Sequence, residues 1–222
     1  MIVNRRDRLI FIKTKKTAGT SFEIALSKGC GADCIITPIT PSDERLRRSL
    51  GFRGAQNFKD YFWREEKLLT RGTFFNHMPA ALIKRAVPRS VWEGYLKLTI
   101  VRNPFDVAIS RYYWEGGERQ GLSFLEYLRR FPEHLRENAV IAPASGDAVP
   151  DLYLRYERLE EDLRAAGLAH VWEVFSTIRA KGDRRPKSGA SMADVYGAFP
   201  EAAQIVEKTC AEAIRRFNYS CA

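Results

Sequence analysis

The segment Leu9-Ile-Phe-Ile-Lys-Thr-Lys-Lys-Thr-Ala-Gly-Thr-Ser21 constrains this chain more than any other part of it. Residues 9–12 form an apolar run that reads as a buried strand. The run breaks into a turn of small residues with three lysines. Phe22, Ala25 and Leu26 then recur at helical spacing until Gly29 supplies a stop. Strand, tight turn and helix aim the backbone N–H groups of residues 17–21 at one point before a helix N-terminus. Unpaired donors and the helix dipole both favour a phosphate or sulfate there, and Lys16 adds a full positive charge. The triphosphate-binding pattern G-x-x-x-x-G-K-[ST] is absent, because the lysine precedes the glycine. An ordinary lysine-rich turn between strand and helix remains the plainer reading of these letters alone.

A second segment has the same build. Leu96-Lys-Leu-Thr-Ile-Val101 alternates and then runs apolar, which suits a central strand. Asn103 is a good helix cap and Pro104 a good first helical residue for the periodic stretch that follows. Arg102 then falls at the carboxyl end of a strand, where ligands bind in open α/β sheets. Ser110, seven residues past the cap, returns to about the same helix face. Two anion sites in one chain imply a ligand with two separated anionic groups.

At this point the chain resembles the sulfotransferases that use 3′-phosphoadenosine 5′-phosphosulfate (PAPS). The resemblance rests on Lys-Lys-Thr-Ala-Gly-Thr-Ser21 and Val101-Arg-Asn-Pro-Phe-Asp-Val-Ala-Ile-Ser-Arg-Tyr112. It is nearest to the carbohydrate sulfotransferase branch and its bacterial single-domain relatives, and covers nearly the whole chain. It implies an α/β, three-layer P-loop-like fold with a mostly parallel central sheet and helices on both faces. It assigns the 5′-phosphosulfate to Lys16, Thr17, Ala18, Gly19, Thr20 and Ser21, and the 3′-phosphate to Arg102 and Ser110. Lys16 is also implied as a catalytic residue. Lys15 stands where the family usually has proline, and Val107 where it often has a basic residue; neither change removes a phosphate ligand. Residues 73–76 read as a short strand and 80–87 as a helix, so His77 stands at a strand end. It resembles the family's Gly-His-x-Pro-like segment, with Asn76 in place of the glycine, and is the implied general base. An unperturbed imidazole, with a pKa of ~6.5, is mostly neutral at pH 7 and able to accept a hydroxyl proton. A helix-start or core histidine is the alternative. His134 and His170 read as structural.

With 222 residues and a net charge of +9, one domain with an anionic ligand is the simplest expectation. No apolar run approaches a membrane span, and the first residues lead straight into a strand with no room for a signal peptide. A cytoplasmic enzyme is therefore expected. Cys30, Cys34, Cys210 and Cys221 would stay reduced there, and no histidine pair has metal-ligand spacing. Residues 41–72 read as a helical insertion rich in arginine and aromatics, suited either to a sugar acceptor or to covering the sheet. Residues 180–189 read as a basic loop that resembles the family's nucleotide-closing loop; a solvated loop is equally consistent. A last strand and helix are expected at 151–162, and one long closing helix at 201–217. The expected activity is sulfuryl transfer from PAPS to a hydroxyl-bearing acceptor, a carbohydrate or small metabolite, without nucleic acid or metal. A P-loop small-molecule kinase and a basic nucleic-acid-binding module are the rival readings.

Overall fold

The computed structural model describes residues 1–64, 67–178 and 191–221. In chain order the elements are β1 (Ile2–Asn4), β2 (Leu9–Ile12), α1 (Gly19–Ser27), β3 (Ile35–Ile36), α2 (Pro41–Ser49), β4 (Lys59–Arg64), β5 (Lys67–Thr73), α3 (Ala80–Ala86) and α4 (Arg89–Gly94). There follow β6 (Leu96–Val101), α5 (Pro104–Glu115), α6 (Phe124–Arg130), α7 (Glu133–Ile141), β7 (Leu152–Arg155), α8 (Leu159–Ala165), α9 (Ala169–Phe175), α10 (Met192–Ala198), α11 (Pro200–Thr209) and α12 (Ala211–Phe217). The result is a mixed α/β structure around an open five-stranded sheet of order β3-β1-β2-β6-β7.

The sheet is parallel only in part. β2 pairs parallel with β6 and β6 with β7, while β1 runs antiparallel to both β2 and β3. The expected mostly parallel sheet is corrected here, and the cause is chain length. Four residues separate β1 from β2, enough for a hairpin but not for the crossover that a parallel pair needs. Where a crossover is available, the strands align with Phe11 beside Leu98 and Ile100 beside Leu154. Alternation along these strands divides the core. Leu9, Phe11, Leu98, Ile100 and Leu154 join Phe22 and Ile24 of α1, Leu163 of α8 and Val171 of α9. Ile10 and Ile12 join Ile83 of α3, Trp92 of α4 and Ile141 of α7. A third apolar cluster knits α5 to α6, α10 and α11 through Phe105, Tyr112, Phe124, Tyr196 and Val206.

Three further expectations change. Among the described residues of the 41–72 stretch only α2 is helical; residues 59–64 and 67–73 pair antiparallel. Its aromatic and β-branched letters, Tyr61, Phe62, Trp63, Thr70 and Thr73, favour strands over helices. Arg47, one of the arginines of this stretch, is fully buried. Thr73 ends β5 in this two-stranded sheet, so His77 lies in a turn and not at an end of the main sheet. The closing helix breaks at Cys210 into α11 and α12. The strand and helix expected at 151–162 appear as β7 and the start of α8. Residues 180–189 lie outside the described residues.

Candidate functional site

β2, β6 and β7 are mutually parallel, so their carboxyl ends share one edge of the sheet. There the chain continues from β2 into Lys13 and the lysine turn, from β6 into Arg102, and from β7 into Tyr156. A cavity of about 380 Å³ opens at this edge, lined by Lys13, Thr14, Lys15, Lys16, Ala18, Gly19, Thr20, Ser21, His77, Arg102, Ser110, Arg111, Trp114, Glu115 and Tyr156. Five cationic side chains and one carboxylate line it, so the field inside favours an anion.

The floor is the start of α1. Ala18 occupies the cap position with φ 57°, no side chain caps the helix, and its first turn carries no acidic residue. The N–H groups at the head of this nine-residue helix therefore face the cavity with the favourable end of the dipole. Gly19 is needed for close packing, since a Cβ there would lie 2.9 Å from Lys13 Cγ and 3.3 Å from the Thr14 carbonyl oxygen. Six described non-glycine residues have positive φ, and three of them, Lys16 (63°), Ala18 (57°) and His77 (61°), line this cavity. Such backbone costs about 1–3 kcal/mol per residue and persists only where the surroundings impose it.

The surroundings do impose it. Asn138 of α7 accepts from the Lys15 N–H at 2.7 Å and donates to the Lys15 carbonyl at 2.9 Å. The neighbouring Glu137 holds the Lys15 ammonium at 2.7 Å. This ion pair explains why a lysine is accommodated at that position. Beneath the loop, Lys13 Nζ sits 2.7 Å from Glu23 Oε2, and Arg47 Nη2 sits 3.5 Å from Glu23 Oε1, all three side chains being buried. Burial alone would raise the Glu23 pKa; the adjacent amino terminus, Lys13 and Arg47 outweigh it and hold the carboxyl down at about 2. Thr17 is the sequence-predicted residue whose side chain does not line the cavity. It is buried, with its hydroxyl 2.9 Å from that of Thr14.

The second motif meets the first directly. Arg102 Nη1 donates to the Lys16 carbonyl at 3.0 Å, across 86 residues of chain. Its Nε donates to Asp106 Oδ2 at 2.8 Å, its Nη2 bonds to the same oxygen, and its guanidinium lies 4.5 Å from the centre of the Tyr156 ring. Three of its five N–H groups are thereby used to orient the fork, leaving one on each terminal nitrogen for a ligand. α5 begins as its letters predict, with Asn103 accepting from Phe105 N–H and Pro104 in the first turn. It brings Ser110, Arg111, Trp114 and Glu115 to the cavity wall.

His77 Nδ1 is 3.0 Å from the Lys13 carbonyl oxygen. A carbonyl can only accept, so Nδ1 carries the proton and Nε2 is the ring's acceptor. Burial, reinforced by the Lys13 charge, lowers the His77 pKa to about 3, against the raising effect of that hydrogen bond. The imidazole is thus neutral at pH 7, more strongly so than its ordinary pKa implies. His134 is held elsewhere, 2.8 Å from the Tyr127 hydroxyl and stacked on Phe131.

Comparison with protein-family models, characterised proteins and solved structures finds no match to this chain. The site must therefore be read from its own chemistry. Arg111, Trp114 and Tyr156 are the lining residues that sequence reasoning passes over. Lys16 Nζ rests 4.0 Å from the centre of the Trp114 ring, a close cation–π contact. Trp114 lies four residues beyond Ser110, so helical spacing was the available signal for it. Among the described residues no helix is long and apolar enough to cross a membrane.

Proposed function

We propose that this protein is a sulfotransferase that binds PAPS in the cationic cavity and transfers its sulfuryl group to a hydroxyl, on a carbohydrate or small metabolite. One observation carries the reading: two anion-binding segments, 86 residues apart in sequence, are joined by the Arg102–Lys16 hydrogen bond around a single cationic cavity. The donor set suits a ligand with two anionic ends. The uncapped α1 terminus with Lys16 would hold the 5′ end, and Arg102 with Ser110 the 3′-phosphate. On this reading the fold belongs to the three-layer P-loop-like class, with β2–α1 and β6–α5 as its phosphate-binding units. PAPS, when bound, supplies the sulfuryl group. His77 Nε2 accepts the proton of the attacking hydroxyl. The Lys16 ammonium and the N–H groups of the loop stabilise negative charge on the departing phosphate, an electrostatic role that a preorganised site performs without reorganising.

Calorimetry with 3′-phosphoadenosine 5′-phosphate (PAP) and adenosine 5′-phosphate tests this. PAP should bind more tightly by about 1.5–3 kcal/mol, roughly ten- to a hundredfold, because a charge-assisted arginine–phosphate contact exists only for PAP. Equal affinity removes the sulfotransferase reading. Lys16→Ala should lower turnover about 10²–10³-fold while changing PAP affinity far less, since its charge matters most as the leaving oxygen becomes anionic. Lys15→Ala should be milder, because the Lys15 ammonium is already given to Glu137. The reverse order in steady-state assays would mean that the roles within the loop are misassigned.

A further inference from the structure

A second cavity, of about 310 Å³, lies between the sheet, α5, α7 and α12, and shares Thr14 and Arg102 with the anion cavity. Its character is different. Ile100, Val107, Leu135, Ala142, Ala213 and Phe217 supply apolar walls. Polar groups along those walls give their hydrogen bonds to the protein. Thr14 Oγ1 donates to the Ile100 carbonyl at 2.5 Å, and the Tyr153 hydroxyl to that of Pro143 at 2.5 Å. Both ends of the Asn138 amide are engaged by the Lys15 backbone. Ser145 and Glu212, both exposed, mark the rim. Protein interiors leave few voids larger than one water, and an apolar hollow forfeits the contacts its lining atoms would make if it were filled. This one matches the low end of the ~300–1,000 Å³ range of small-molecule pockets.

We propose that this cavity is a binding site for a neutral, apolar small molecule of about the size of two or three aromatic rings, adjacent to the anion site but distinct from it. Neutrality follows from the apolar walls, along which Thr14, Tyr153 and Asn138 are already hydrogen-bonded. Arg102 is oriented by Asp106 and the Lys16 carbonyl, and Glu212 stands at the exposed rim, so a ligand's charge would go unmatched along most of the wall. Size follows from the volume, and about 310 Å³ between the sheet, α5, α7 and α12 suits a small molecule rather than a protein segment. The site stands whether or not the sulfuryl-transfer reading holds, because no residue of the proposed chemistry supplies its apolar walls.

The probe is N-phenyl-1-naphthylamine, which is uncharged and fluoresces on leaving water. The folded wild-type chain should bind one equivalent saturably, with blue-shifted emission, and the dye should raise the thermal midpoint by mass action. Ala142→Phe, just after α7, and Ala213→Phe, in α12, fill the cavity from two different elements. Each should weaken dye binding by at least about tenfold, equivalent to about 1.4 kcal/mol, and leave PAP affinity unchanged. Should either phenylalanine prove too large to fold, Ala142→Leu repeats the test with less bulk. Failure of the wild type to bind saturably overturns the proposal, as does undiminished binding to the folded, filled variants. The PAP measurement reads the other cavity, so the two assignments fail separately.

Discussion

His77→Ala is expected to slow sulfuryl transfer by about 10²–10⁴-fold, the usual contribution of a general base, while PAP binds nearly as it does to the native protein. The expectation rests on the hydrogen bond that fixes Nδ1 against the Lys13 carbonyl and leaves Nε2 to accept. The pH dependence separates this role from a merely structural one. With its pKa lowered to about 3, His77 is already neutral in the free protein well below neutral pH. The acid limb that it causes in kcat/KM should therefore appear near pH 3 and not near 6.5. That limb should be missing from the alanine variant, which has nothing to protonate. A base with a pKa near 3 accepts a proton poorly at neutral pH. An anion bound beside the imidazole favours its charged form, so PAP should raise the His77 pKa in an NMR titration and strengthen it as a base. The same shift has a stability sign. The unfolded imidazole takes up a proton near pH 6.5 and the folded one near pH 3, so this group's contribution is present above 6.5 and lost as pH falls toward 3. Near-native activity in His77→Ala would sink the assignment, and Glu115, which shares the cavity wall, would be the next base to test.

Glu23→Gln should cost about 3–5 kcal/mol of folding stability in urea titration at pH 7, the scale seen when one partner of a buried ion pair is removed. The glutamine keeps the shape but removes the charge that Lys13 and Arg47 face, and all three side chains are inaccessible to solvent. Neutralising a cation as well, in Glu23→Gln with Lys13→Met, should recover part of the loss, because paired removal leaves less uncompensated charge. The wild type should also lose stability as pH falls from about 4.5 toward 2, since its carboxylate is held down at about 2 in the fold. The glutamine variant should lack that component. A cost under about 1 kcal/mol would mean that water or rearrangement screens the cluster.

The two segments that line the cationic cavity are legible because each is written in adjacent letters: apolar strand, special turn, helix start. Asn103 and Pro104 announce α5, and the small residues before Phe22 announce the head of α1. Structure that depends on distant partners is not legible in the same way. The direction of β1 follows from a four-residue spacing that composition does not weigh. The arginines of residues 41–72 draw attention to charge, whereas the aromatic and β-branched letters decide for an antiparallel strand pair. Arg47 looks like a surface cation until Glu23 is seen beside it. His77 reaches the site through a turn and one hydrogen bond to Lys13, not through the strand its neighbours suggest. Nothing in the letters near Lys15 indicates that Asn138 will hold it.

That last contact gives the site a history as well as a shape. Asn138 and Lys15 are 123 residues apart, so the lysine loop is held at both backbone atoms by a helix from the far side of the chain. Closing so long a loop is slow and is paid before its contacts exist. The strand and helix that flank the loop are local and can form early, but the loop between them gains its grip only when α7 docks. Competence to hold an anion should thus be among the last properties to appear during refolding, trailing the recovery of helix and sheet. It should also be among the first to go when α7 loosens, before the sheet itself gives way.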